Sequence, residues 1–347
     1  MNKKTLGLLA AVCLGAATGC GAKGTYVGLG YTASFTATQA TVNVAVAAFD
    51  NAGKIVNARL DVVQIPLAVS EVTKDDVTTK VAGIDTTKNP DLLSKVELGL
   101  DYGMLGTSSK NGIGKEVYEQ IEAFAKWTVG KTVDEVVAGT PGAGHGVAVN
   151  EELATSVTIT VDDFEAALKD AFENKVAAKA SAANAGVGIF VEMYGANELT
   201  TYIAGAVTDK KGVVEAAQLD NVVFPLTTKE ETKDGVTSTV AALADSKYVV
   251  NGEIISKKKL GTGYGMAGKV DGDGDGVKLE WNEQAAAIEN YVVGKDAAAI
   301  SAMTYTDGKN ADLVAVDATI KTESIMKAVA EAVSYSTKDV ITAKPNA

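Results

Sequence analysis

The sequence predicts an α+β fold made of two tandem copies of one module, each a hairpin-based antiparallel β-sheet packed against a few helices. Three observations carry this expectation. The stretch Ser94-Lys95-Val96-Glu97-Leu98-Gly99-Leu100-Asp101-Tyr102-Gly103-Met104-Leu105-Gly106 returns as Ser256-Lys257-Lys258-Lys259-Leu260-Gly261-Thr262-Gly263-Tyr264-Gly265-Met266-Ala267-Gly268. Valine-rich alternating runs precede both copies, and helix-patterned runs follow both. Self-similarity on this scale is the mark of a repeated supersecondary unit.

The elements follow in the same order twice. A Gly-rich start, Gly28-Leu29-Gly30-Tyr31, has its counterpart at Gly186-Val187-Gly188-Ile189. Thr41 to Val46 alternates as a half-buried strand does, and Ile55 to Ile65 returns after the turn Asp50-Asn51-Ala52-Gly53, which makes a β-hairpin. Tyr202 to Val207, Asp209-Lys210-Lys211-Gly212 and Val213 to Phe224 repeat it. Asp50 lines up with Asp209, Asp61 with Asp220 and Pro66 with Pro225, all at one offset. Between Pro66 and Ser94 the chain is polar and reads as loop; its partner, Thr227 to Ile255, carries an Asn251-Gly252 hairpin signal.

Beyond the repeated block, Val117, Ile121, Phe124 and Thr128 fall at helical spacing, as do Trp281, Ala285, Ile288 and Val292. Gly130 and Gly294 are natural stops. The aromatic residues Trp127, Tyr118, Trp281 and Tyr291 read as core or rim packing. A strand-to-helix unit ends each copy, with Ala154-Thr155 paired to Ala318-Thr319 by the offset of the preceding helix. The predicted organisation is a signal segment over 1–19, a tether over 20–23, repeats over 24–172 and 185–336, a linker over 173–184 that is either a short helix or a flexible tether, and a tail over 337–347.

Composition narrows the chemistry. A net charge of −12 disfavours nucleic acid as a partner, because phosphate binding needs a basic surface. Arg59 is the single arginine and His145 the single histidine, so arginine clusters and multi-histidine metal sites are excluded. His145 sits in a Gly-rich loop and reads as solvent-exposed. Both cysteines, Cys13 and Cys20, lie at the N-terminus. There a basic head precedes an apolar run, Leu6 to Ala17, too short to span a bilayer.

Two loops ahead of the central helices are candidate ligand sites. Gly106 to Lys115 gathers Ser108, Ser109, Lys110 and Gly112 before a helix N-terminus, a setting that suits an anion such as phosphate, or simply a surface loop. The second copy replaces it with Lys269-Val270-Asp271-Gly272-Asp273-Gly274-Asp275-Gly276, alternate carboxylates that resemble the start of a Ca²⁺ loop, with Glu280 or Glu283 available to complete a site. Lys278 and Asn282 stand where an EF-hand needs an apolar residue and a glutamate; a solvated acidic loop is the other reading. The opposite local charge argues that the two copies do not share one ligand.

The ending Ala17-Thr18-Gly19-Cys20 resembles a bacterial lipoprotein signal, which implies lipidation of Cys20 and a membrane anchor on the extracytoplasmic face. An ordinary secretory peptide is the alternative. The order of the Gly-rich start, the Asp-x-x-Gly hairpin, the Leu-Gly-x-x-Tyr-Gly-Met block and the final Ala-Thr helix resembles the FMN-binding domain of bacterial extracytoplasmic flavoproteins. That resemblance implies an electron-transfer protein with a redox partner and FMN as cofactor. It places Tyr102, Gly103 and Met104 beside the cofactor, with Thr155 and Thr319 where the family esterifies the flavin phosphate within Ser/Thr-Gly-Ala-Thr. The glycine of that motif is Leu153 in one copy and Asp317 in the other. A second hypothesis is a non-enzymatic surface lipoprotein that uses the same scaffold to bind a ligand or partner without flavin, since no carboxylate pair or nucleophile–base set stands out.

Overall fold

Strand pairing builds two antiparallel sheets whose inner faces meet. The computed structural model describes residues 25–105, 113–140, 152–178, 184–268 and 279–338. Its first sheet has the order β4-β3-β2-β1-β5, from β1 (Thr25–Thr36), β2 (Gln39–Asp50), β3 (Ile55–Lys74), β4 (Val77–Ile84) and β5 (Val176–Ala178). The second has the order β6-β7-β8-β9, from β6 (Asn184–Tyr194), β7 (Glu198–Thr208), β8 (Val214–Lys233) and β9 (Val236–Leu243).

Side chains alternate across a strand, so each strand sorts its residues onto two faces. Val42, Val44 and Val46 meet Ile203, Val207 and Val222 of the opposite sheet in one buried cluster. Ala45, Ala47 and Phe49 point the other way, beneath helices. Both faces are dry, which explains why β2 and β7 read as nearly continuous apolar runs. The sheets approach closely. A Cβ at Gly205 would lie 2.6 Å from Cγ2 of Val46.

Helices cover the outer faces and complete an α+β architecture of helix, sheet, sheet and helix layers. In the first half α1 (Lys95–Leu98) and a 3₁₀ turn (Gly99–Tyr102) lead to α2 (Val117–Thr128), α3 (Val133–Gly139) and α4 (Asp162–Glu173). The second half has a small hairpin, β10 (Val249–Val250) with β11 (Glu253–Ile254), then α5 (Lys257–Leu260) and a 3₁₀ turn (Gly261–Tyr264). It ends with α6 (Trp281–Val292), α7 (Ala297–Ser301), α8 (Ala311–Val314) and α9 (Glu323–Ser336). The buried faces of α2 and α6 are those the spacing predicts.

The paired glycines near the start of each half have a packing role. A Cβ on Gly28 would sit 1.9 Å from the Ala171 carbonyl oxygen, and one on Gly186 1.9 Å from that of Ala332. Gly30 and Gly188 meet Ala167 and Ala328 in the same way. The closing helices α4 and α9 therefore lie directly on the backbone of β1 and β6.

Two segments differ from the sequence expectation. The polar stretch after Pro66 is not loop: β3 runs on to Lys74 and pairs with β4 in register from Leu67↔Ile84 to Lys74↔Val77. Its β-branched residues favour strand, and Asp75 and Asp76 turn it with φ of 50° and 61°. The ribbon is largely exposed, and β8 and β9 form a matching one beside it, joined by Lys80 Nζ donating to Thr239 Oγ1 at 2.7 Å. The linker region holds β5, which pairs along β1 from Thr25↔Ala178 to Val27↔Val176 and covers an edge that would otherwise be open. The Asn251-Gly252 hairpin is present as expected.

Candidate functional site

A fully buried glutamine organises each half. Gln120 of α2 donates from Nε2 to the Lys115 carbonyl at 3.1 Å and to the Met104 sulfur at 3.4 Å. Its Oε1 accepts from the backbone N–H of Thr158 at 2.8 Å and of Ile159 at 3.2 Å, and from the Thr158 hydroxyl at 3.1 Å. Gln284 of α6 makes the same set with Leu279, Met266, Thr319 and Ile320. One side chain thus ties the Tyr-Gly-Met block to the segment that enters the last helix.

These bonds correct the pairing of the terminal threonines. Thr319 corresponds to Thr158, not to Thr155. The connection between the central helix and the closing segment is three residues shorter in the second half, so the helix offset cannot be carried through it. Thr155 lies on an exposed turn, and Thr319 is buried against Gln284. The signal that would have found the right pair is the shared Val-Thr-Ile and Ala-Thr-Ile tripeptide.

Beside the N-terminal half of α2, at Val117 and Ile121, the first half opens a cleft of about 390 Å³. Thr41, Asn43 and Gln64 of β2 and β3 form its polar floor, Tyr102 and Met104 one wall, and Thr158 to Thr160 another. The Lys95 ammonium stands 5.0 Å from the centre of the Tyr102 ring and lines the same cleft. The volume lies within the ~300–1,000 Å³ usual for small-molecule sites. Hydroxyls, amides, the Lys95 ammonium and the Asp163 carboxylate suit a polar ligand that meets Lys95 with an acceptor and keeps any anion away from Asp163; the aromatic and thioether wall suits a flat one.

Of the residues singled out in the sequence, Tyr102 and Met104 line this cleft, and Gly103 joins them as a left-handed residue with φ of 78°. Ser108, Ser109, Lys110 and Gly112 lie outside the described residues, as do Asp271, Asp273, Asp275, His145 and Cys20. Glu280 is described and is engaged with backbone. Its carboxylate accepts from the N–H groups of Met266 at 2.9 Å and Ala267 at 3.0 Å. Burial works to raise the Glu280 carboxyl, but these amides more than offset it and hold it below the ordinary glutamate range. Glu116 caps Met104 and Leu105 in the first half in the same manner. Among the described residues no group of three or more His, Cys, Asp or Glu is placed to hold a metal ion.

The second half carries larger side chains at the corresponding positions. Tyr202 stands where Asn43 does and Trp281 where Val117 does, and both are buried, Trp281 to 2 % exposure. Phe190 packs against Tyr202 with ring centres 6.1 Å apart. The two halves share these hydrogen bonds and differ in the side chains at the cleft positions.

Neither family models nor curated proteins nor solved structures gave a match to this chain. Among the described residues no helix is long and apolar enough to cross a membrane.

Proposed function

We propose that this chain is a lipid-anchored extracytoplasmic protein that binds FMN in the cleft of its first half and passes electrons near the membrane. The observation that carries the reading is the cleft itself, which gathers Tyr102 and Met104 of the repeated block with the hydroxyls of Thr41, Thr158 and Thr160 and the Lys95 ammonium. The corrected pairing supports it further. The Ser/Thr-Gly-Ala-Thr positions now read Thr155-Ser156-Val157-Thr158, with a small Ser156 in place of glycine and Thr158 at the cleft wall. Bound flavin would supply the redox chemistry. The chain would contribute a flat wall, phosphate-facing donors and the tether through Cys20. The two halves would descend from one duplicated module, in keeping with the recurring Ser94–Asp61 and Ser256–Asp220 bonds, each 2.6 Å.

The competing reading is a surface lipoprotein without flavin, favoured by the second half, which carries the buried Trp281 and Tyr202 at the cleft positions. Protein purified from its native membrane separates the two. A band at roughly 450 nm supports flavin, and its retention after denaturation supports an ester, abolished by Thr158→Ala and kept in Thr155→Ala. Colourless protein whose melting temperature FMN does not raise rejects the flavin reading, because any native-state ligand must stabilise.

A further inference from the structure

The two sheets run in the same direction across their seam. Gln218 of β8 accepts at Oε1 from the Leu29 N–H of β1 at 2.6 Å and donates from Nε2 to the Asn174 carbonyl at 2.8 Å. Two residues further along both strands, the Tyr31 hydroxyl accepts from the Ser256 N–H at 2.8 Å, and the Ser256 hydroxyl donates to Asp220 at 2.6 Å. β1 and β8 therefore rise together from Thr25 and Val214.

That common direction gathers particular parts of the chain at one end, the base. Thr25 pairs with Asp50, which opens the turn into β3. Thr208 pairs with both Asn184 and Val214, beside the turn into β8. The backbone of Ile55 exchanges bonds with Gly130 and Lys131, and that of Val214 with Gly294 and Lys295. The ribbons lie at the other end, joined through Lys80 and Thr239. β3 spans 20 residues, so a rise of ~3.3 Å per residue carries the ribbon tips roughly 60 Å from the base.

The chain before β1 limits what the base can meet. Five residue steps separate Cys20 from Thr25, a reach of at most about 18 Å when fully extended. A lipid on Cys20 holds the base within that distance of the bilayer. Charge opposes tipping over. At the base Lys54, Lys131, Lys211 and Lys295 offset Asp50, Glu135, Asp209 and Asp296, whereas the whole chain carries −12. The excess of carboxylates thus falls on the flanks and tips, which an anionic bilayer repels more than the base. Exposed valines do not discriminate, since Val56 and Val129 stand at the base and Val77 and Val236 at the tips; reach and charge do.

We propose that the base seats on the lipid bilayer that holds Cys20, with the strands rising from it and the ribbons directed into the aqueous space. This orientation rests on the lipid-anchor reading and is independent of flavin. It also keeps the cleft of the first half in water. Thr41, which lines the cleft, pairs with Ser34, nine residues up β1 from Thr25, ~30 Å from the base.

The test is energy transfer from single-cysteine labels to headgroup-labelled lipid, on mature lipidated protein in vesicles of phosphatidylethanolamine and phosphatidylglycerol. Asn51→Cys and Lys210→Cys mark the base, and Lys74→Cys and Lys233→Cys the tips; all four side chains are exposed. Transfer from the tip labels should be at least about tenfold weaker, as a separation of ~60 Å requires. Acetylation of the unsubstituted protein gives the same answer without variants: Lys210 and Lys211 should lose reactivity on passing from detergent to vesicles, and Lys74 and Lys233 should not. Equal transfer from the two pairs of labels, or shielding of the tip lysines, overturns the orientation. The mass of the N-terminal peptide tells the two failures apart. An unmodified Cys20 rejects the anchor and the orientation with it, whereas lipidated Cys20 with equal transfer rejects the orientation alone.

Discussion

Asp61 is fully enclosed, yet it carries a titratable proton. Its carboxylate accepts from the Ser94 hydroxyl at 2.6 Å and from the N–H groups of Val62 at 2.7 Å and Val96 at 3.2 Å. Burial nevertheless lifts its carboxyl to about 7, and the charge of Glu97 adds to the rise. An unfolded aspartate titrates at ~3.9. Between these values the folded protein keeps a proton that the unfolded chain has released. The stability from Asp61 is therefore full below the unfolded value and is lost as pH rises through about 7. Asp220, lifted by burial to about 6, acts with the same sign. Urea midpoints measured across that range should decline less for Asp61→Asn than for the parent; parallel curves would contradict the assignment.

Gln120 is the other residue on which the first half depends. Replacing it with leucine strands the Lys115 carbonyl and the N–H groups of Thr158 and Ile159. Each buried, unsatisfied group costs about 1–3 kcal/mol, so Gln120→Leu should lose about 3 kcal/mol or more in chemical denaturation. It should also loosen the wall that holds Met104, read as faster proteolysis there. Gln120 stood in plain view in the sequence, but nothing in local spacing tells a buried bracket from a solvated helical polar residue. Its role exists only once Met104 and Thr158 arrive from distant parts of the chain.

At the scale of elements, period and turn chemistry were informative wherever the relevant partners were local. The hairpin of β2 and β3, the buried faces of α2 and α6 and the Asn251-Gly252 turn all follow from residues a few positions apart. The ribbons beyond Pro66 and Pro225 did not show themselves, because strands lying against one another in solvent have no apolar alternation to betray them. The helix–strand contact at Gly28 gives a sharp test. Gly28→Ala forces a methyl onto the Ala171 carbonyl and should cost about 1–3 kcal/mol or more. Gly83→Ala, in β4 with nothing within 4 Å of the added atom, should be neutral or stabilise by up to ~1 kcal/mol. Equal effects of the two on the melting temperature would remove the packing explanation.

For the whole molecule, the decisive feature is the seam between the sheets. The inner faces of the two sheets are apolar and bury each other in one cluster, so residues 25–178 produced alone should aggregate or self-associate through that face. Supplying 184–338 in the same cell should recover a soluble complex. A monomeric, soluble, folded first half by itself would refute the shared core. The α+β class was legible in the sequence, but the meeting of the two inner faces was not, since a sequence names the buried stripe and not what buries it. The common direction of the two sheets was hidden for the same reason, being fixed by residues such as Leu29, Gln218 and Tyr31 that no motif connects.

The contact of Val46 with Gly205 couples what each half can carry at the seam. A bulkier side chain at 205 is admissible only with a smaller one at 46, and the reverse. Neither sheet is free to change its side chains across this plane alone, whereas the solvent-side faces of the two halves carry no such mutual constraint.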